Sequence, residues 1–85
     1  MIRYLPHADE AMQKRGLLRE WVEATIAAPD WVEPDPRYPE RTRSFKVLEP
    51  MGGRVRRVVH WADGLDIVVL TAMPDRNARK QRSLP

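Results

Sequence analysis

Two apolar segments joined through an Asp-Gly pair constrain this chain most. VRRVVHW, residues 55–61, and LDIVVLTAM, residues 65–73, flank Ala62, Asp63 and Gly64. An Asp-Gly pair between β-branched runs is a strong short-range signal for a β-hairpin. The run Leu65 to Met73 is apolar on both faces, as expected of a central strand with helices on one side. Upstream, Thr42 to Leu48 alternates: Arg43, Phe45 and Val47 on one side, Ser44, Lys46 and Leu48 on the other. Met51-Gly52-Gly53 supplies the turn into Val55–Trp61. The second half is therefore an antiparallel meander.

The first half reads as helix. Ile2 to Leu5 is a brief strand ended by Pro6. From Ala8 to Arg15, residues Ala8, Ala11, Met12 and Arg15 share a face, with Asp9 and Glu10 early and Lys14 and Arg15 late. Gly16 suits the left-handed residue after the helix. A second helix, Leu17 to Ala28, carries Leu18, Trp21, Val22, Thr25 and Ile26 on one stripe, and Pro29 stops it. DWVEPDPRYPE, residues 30–40, has three prolines; it reads as an exposed stiff loop, with at most a short edge strand at Trp31 and Val32. The fold expected is α+β: a helix pair on a three- to four-stranded antiparallel sheet, in the order β-α-α-β-β-β, as one domain over residues 1–76. Residues 77–85 read as a flexible basic tail.

The 85 residues contain no cysteine, which excludes disulfides and thiolate metal sites. No apolar run reaches the roughly 18 residues of a membrane span, and MIRYLPHADE lacks the apolar core of a secretory signal. The expectation is a cytoplasmic protein with no membrane partner. The net charge of +3 hides a split: residues 1–40 carry five basic and eight acidic side chains, residues 41–85 ten and four. A basic second half suits phosphates or an acidic protein.

No metal or cofactor is expected. His60 and Asp63 are too few for zinc, which takes three or four ligands, and no phosphate-binding glycine loop occurs. Ser44 and Ser83 are the only serines, neither near a histidine in sequence. What remains is a set of cations and imidazoles. Alternation puts Arg54, Arg56, Val58 and His60 on one face, with Ser44 and Lys46 beside them. Val55, Arg57, Val59 and Trp61 fall on the other, expected to pack on the helices, with Arg57 at an edge or near a bulge. Metal-free RNA cleavage needs a base for the ribose 2′-OH, an acid for the leaving oxygen and cations for the phosphorane. His7 and His60 are the only histidines and the catalytic candidates. The bland readings are a solvated, arginine-decorated sheet face and a histidine that merely begins a helix.

The stretches HADEAMQKRG, LLREWVEATIAAPDWVEPDP and VRRVVHWADGLDIVVLTAMPDR resemble a bacterial domain-of-unknown-function family that opens with a motif like H-A-x-x-R-M-x-x-R-G. His7, Ala8, Met12, Arg15 and Gly16 match that motif, Pro29-Asp30 a second one, and Val68-Val69-Leu70-Thr71 with Pro74 the last. That family looks similar to the RelE/ParE and BrnT-type toxins of toxin–antitoxin pairs. The resemblance implies a RelE-like fold, an RNA substrate, a ribonuclease-like activity and a cognate antitoxin. The chain departs from the pattern at Ala11, where the family has arginine, and at Met73, where it has an aromatic. Arg41, Arg43, Lys46, Arg54 and Arg56 are the candidate phosphate contacts. The alternative is a non-enzymatic interaction module that self-associates through exposed sheet or helix surface. A DNA-binding domain fits less well, since no helix carries a basic recognition pattern.

Overall fold

The computed structural model describes residues 1–48 and 54–75. The expected Met51-Gly52-Gly53 turn and the basic tail lie outside the described residues. In chain order the elements are β1 (Ile2–Tyr4), α1 (Pro6–Arg15), α2 (Arg19–Ala27), β2 (Trp31–Pro34), β3 (Thr42–Leu48), β4 (Arg54–Asp63) and β5 (Asp66–Pro74). The class is α+β, but the sheet is larger than expected and mixed. It has five strands in the order β1-β5-β4-β3-β2, with β1 parallel to β5 and every other pairing antiparallel.

Two short segments account for the difference. β1 has only three residues and takes the free edge of β5. β2 occupies part of the proline-rich stretch expected as loop, because Pro34 falls at its last residue, on an outer strand. Proline is tolerated there, since the outer edge needs no donor. The helix pair carries the chain from one edge of the sheet to the other.

Local chemistry sets the element ends. Pro6 is the first residue of α1, where its missing N–H costs nothing. Gly16 follows α1 at φ 63°, ψ 32°, and its N–H returns to the carbonyls of Gln13 and Met12. At the β4–β5 turn Gly64 has φ 61° and Leu65 is not at positive φ, the combination of a type II′ hairpin. The turn residues are therefore Gly64 and Leu65, and β5 starts one residue later than the apolar run.

The sheet buries apolar groups on both sides. On the helix side Ala8, Met12, Leu17, Val22, Val58, Val69 and Ala72 form the main core, with Ile2, Tyr4, Trp21 and Ile26 packed against it. On the open side Phe45 and Val55 form a smaller core with Trp31 and Val47. Trp31 stacks on Phe45, centroids 4.8 Å apart and planes within 5°. α1 lies over β5 and β1, α2 over β4 and β3.

One irregularity sets which residues face which side. Val59 pairs with Thr71 and His60 with Val69, so Leu70 is an extra residue in β5. This bulge sends Val69 to the helix side and Thr71, two residues on, to the other. Val69 and Ala72 can then both enter the main core at a spacing of three.

Gly16→Ala forces a Cβ into the left-handed region and should cost about 1 kcal/mol in urea unfolding, with the slope unchanged. Phe45→Ala empties the open-side core and should cost about 3–5 kcal/mol.

Candidate functional site

The sequence divides β4 correctly into two alternating sets, but the sides are reversed. Arg56 and Val58 face the helices, where with Leu17, Trp21, Val22, Thr25 and Ala72 they line a small apolar space. Arg56 is 4% exposed, which removes it from the surface where a phosphate contact would lie. Lys46, opposite Arg56, donates from Nζ to the Ala28 carbonyl at 2.8 Å. It caps the C-terminal end of α2, where a cation meets the negative end of the helix dipole. Arg54 pairs with Leu48, and its side chain lies outside the described residues.

Val55, Arg57 and Val59 belong to the open side instead. Arg57 is on an interior strand, and the bulge lies across from Val59 and His60 in β5 rather than at Arg57 itself. Its guanidinium meets Asp75 at 3.2 Å. Arg43, also on the open side, lies between Glu33 at 3.4 Å and Asp75 at 3.9 Å. Both cations already hold a carboxylate. Arg41 follows the β2–β3 connection, with its guanidinium 4.2 Å from the Tyr38 ring centroid and 5.4 Å from that of Trp61.

His60 sits on the helix side. It pairs with Thr42 across β3 and with Val69 across β5. A hydrogen bond of 2.8 Å links its Nε2 to Ser44 Oγ. Sixteen residues separate the two in sequence; strand register makes them diagonal neighbours on one face. Ser44 is 1% exposed, so it orients the ring rather than presenting a nucleophile to solvent. Burial pushes the imidazole below its usual pKa, which leaves it neutral at pH 7. A neutral, oriented, partly exposed imidazole can take a proton.

A second polar group shares this transverse row. Tyr4 pairs with Val69 from the other side, two strand spacings or about 10 Å from His60. Its hydroxyl donates to Glu23 at 2.8 Å, and the Arg19 guanidinium lies 4.7 Å from its ring centroid while bonding Asp9 at 3.2 Å. Burial, then Glu23, holds the phenol well above its ordinary pKa. Tyr4 therefore stays protonated at neutral pH, with its proton committed to Glu23.

His7 is exposed at the second residue of α1. It follows by two residues Leu5, whose N–H bonds the Val69 carbonyl, and Val69 is the β5 partner of His60. Among the described residues no hydrogen bond joins the two histidines. No group of three or more metal-ligating side chains occurs among the described residues, and no helix there is long and apolar enough to cross a membrane.

Two consequences can be measured. His60 is bound less tightly to its proton when folded than when unfolded, so the unfolded chain takes up protons first on acidification. Stability should be full above about pH 6.5 and fall as pH drops through the depressed folded pKa. Thermal unfolding of His60→Gln should lose that part of the acid dependence. Arg56→Met removes a buried cation from its partner in the fold and should lower stability in urea unfolding by about 1–3 kcal/mol, while leaving the affinity for a polyanion such as heparin unchanged.

No curated protein and no solved structure matches the chain. Residues 4–74 match one family over most of the chain's length. The protein belongs to the family described as Domain of unknown function, DUF4258.

Proposed function

We propose that this domain is a toxin-like RNA-binding protein acting as a metal-independent endoribonuclease, with His60 as its proton-transfer group. The observation that carries the reading is the Ser44–His60 hydrogen bond, which fixes an imidazole kept neutral by burial. Such a group accepts the ribose 2′-OH proton without first having to lose one of its own. The leaving 5′-oxygen then needs an acid. His7, exposed at the start of α1, is the candidate acid. The likeness read for this family to RelE/ParE and BrnT-type toxins supports RNA as substrate. It also makes a cognate antitoxin the natural protein partner.

A non-enzymatic interaction module is the competing reading. It is favoured by the burial of Arg56 and the capping bond of Lys46, since neither cation then meets a phosphate.

The test is induced expression in bacteria together with cleavage of a labelled single-stranded RNA in EDTA. Wild type should inhibit growth and cleave. His60→Ala should slow cleavage about 10²–10⁴-fold. His60→Gln, which can keep the bond to Ser44, should be as inactive. Ser44→Ala should retain activity with a pH profile displaced from that of wild type. His7→Ala should slow cleavage and flatten the alkaline side of the pH profile if His7 is the acid, whereas Tyr4→Phe should leave the profile unchanged. A wild-type protein that neither inhibits growth nor cleaves would sink the enzymatic reading.

A further inference from the structure

β4 is longer than the strand beside it. β3 begins at Thr42, which pairs with His60, so Trp61, Ala62 and Asp63 project past β3 and pair only with β5. The sheet therefore has a notch at this point. His60 stands at its helix side and Trp61 at its open side, because adjacent strand residues point to opposite faces.

The β2–β3 connection brings two more groups to the open side of the notch. Asp35 Oδ1 accepts the N–H groups of Arg37 and Tyr38 at 2.9 and 3.0 Å. The Asp35 N–H bonds the Arg41 carbonyl at 2.9 Å, and the Arg41 N–H bonds the Tyr38 carbonyl at 2.8 Å. This closed turn holds Tyr38 and Arg41 in place without help from a ligand. The guanidinium lies against both the Tyr38 and Trp61 rings, and Tyr38 is 43% exposed.

Charge separates Arg41 from its neighbours. Arg3 is bridged to Asp63 and Asp66, Arg43 to Glu33 and Asp75, and Arg57 to Asp75. Among the described residues, Arg41 makes no salt bridge, and the carboxylate acting on it is Asp35 of the same turn, which is itself committed to the N–H groups of Arg37 and Tyr38. Two aromatic rings around a planar cation with no salt bridge form a surface on which an unpaired base stacks, while the cation serves the adjoining phosphate.

We infer that Tyr38, Arg41 and Trp61 form a base-stacking site for single-stranded RNA, located at the notch so that the backbone leaving it turns toward His60. The inference rests on the RNA reading above and adds to it the form of the substrate: an unpaired nucleotide next to the reacting phosphate. Base-paired RNA cannot offer a free face to the rings.

The experiment is fluorescence anisotropy with a labelled single-stranded RNA decamer and the same sequence as a duplex, using the full chain with His60→Gln to prevent cleavage. Single-stranded RNA should bind at least tenfold tighter than duplex. Trp61→Ala and Tyr38→Ala should each weaken single-strand binding about tenfold, with circular dichroism and thermal midpoint reporting that the fold is kept. Arg41→Lys keeps the charge and loses the plane, so it should weaken binding while leaving the salt dependence nearly unchanged. Because Tyr38 lies in an exposed turn, its variant remains informative if Trp61→Ala fails to fold. Wild-type-like affinity in Tyr38→Ala and Arg41→Lys overturns the stacking site and leaves the RNA reading intact. No RNA binding by the His60→Gln chain or by wild type, or self-association through this face instead, overturns both.

Discussion

The register of β4 between its two neighbours governs the rest of the molecule. β4 pairs with β3 without interruption from Arg54 to His60, but with β5 only by leaving Leu70 unmatched. Without that extra residue Val69 and Thr71 would share a face, and one of them would be wrongly placed. With it, Val69 enters the main core at 0% exposure and Thr71 turns to the open side. The bulge also fixes His60 opposite Val69, and hence in one row with Tyr4. The helix pair needs this arrangement, since α1 packs on β5 and its residues Ala8 and Met12 share a core with Val69 and Ala72. The candidate site and the core thus depend on the same pairing.

Much of the fold was legible because it is locally encoded. The order of elements, the glycine after α1 and the meander of three strands follow from hydrophobic spacing and turn chemistry. The two outer strands were harder. The strand at β1 and a short edge strand at Trp31–Val32 were legible, but β1 is three residues long and β2 ends in proline, so neither carries a pattern that gives its partner. Each exists because an inner strand offers it an edge. That is information about tertiary pairing, and no window of the sequence contains it. The parallel join of β1 to β5 across more than sixty residues is of the same kind.

The site was legible only in its membership. Alternation correctly grouped Arg56, Val58 and His60 with Ser44 and Lys46, but it cannot say which group a helix will cover. Both groups on β4 mix arginine with valine, so composition gives no vote. The deciding contact is distant: Trp31 stacks on Phe45 and supplies the open side with its own apolar cluster. This makes an apolar surface on each face and leaves Arg56 beneath α2. The Ser44–His60 bond escaped for a related reason. Its partners are diagonal across two strands, and sequence proximity, the usual cue for a serine–histidine pair, is absent.

The distribution of charge then takes on a different meaning. Among the described residues, the cations of the second half do not form one basic face. Lys46 closes a helix end, Arg43 and Arg57 share Asp75, and Arg56 lies in the core. Neutralised cations contribute little long-range potential to draw in a polyanion. In the proposed RNA reading, recognition at the overhang of β4 rests on short-range chemistry: stacking and an oriented imidazole. Short-range contacts discriminate by shape where diffuse charge does not, and they survive salt that screens surface attraction. In the proposed reading, a surface built this way favours an exposed, unpaired nucleotide over general affinity for nucleic acid.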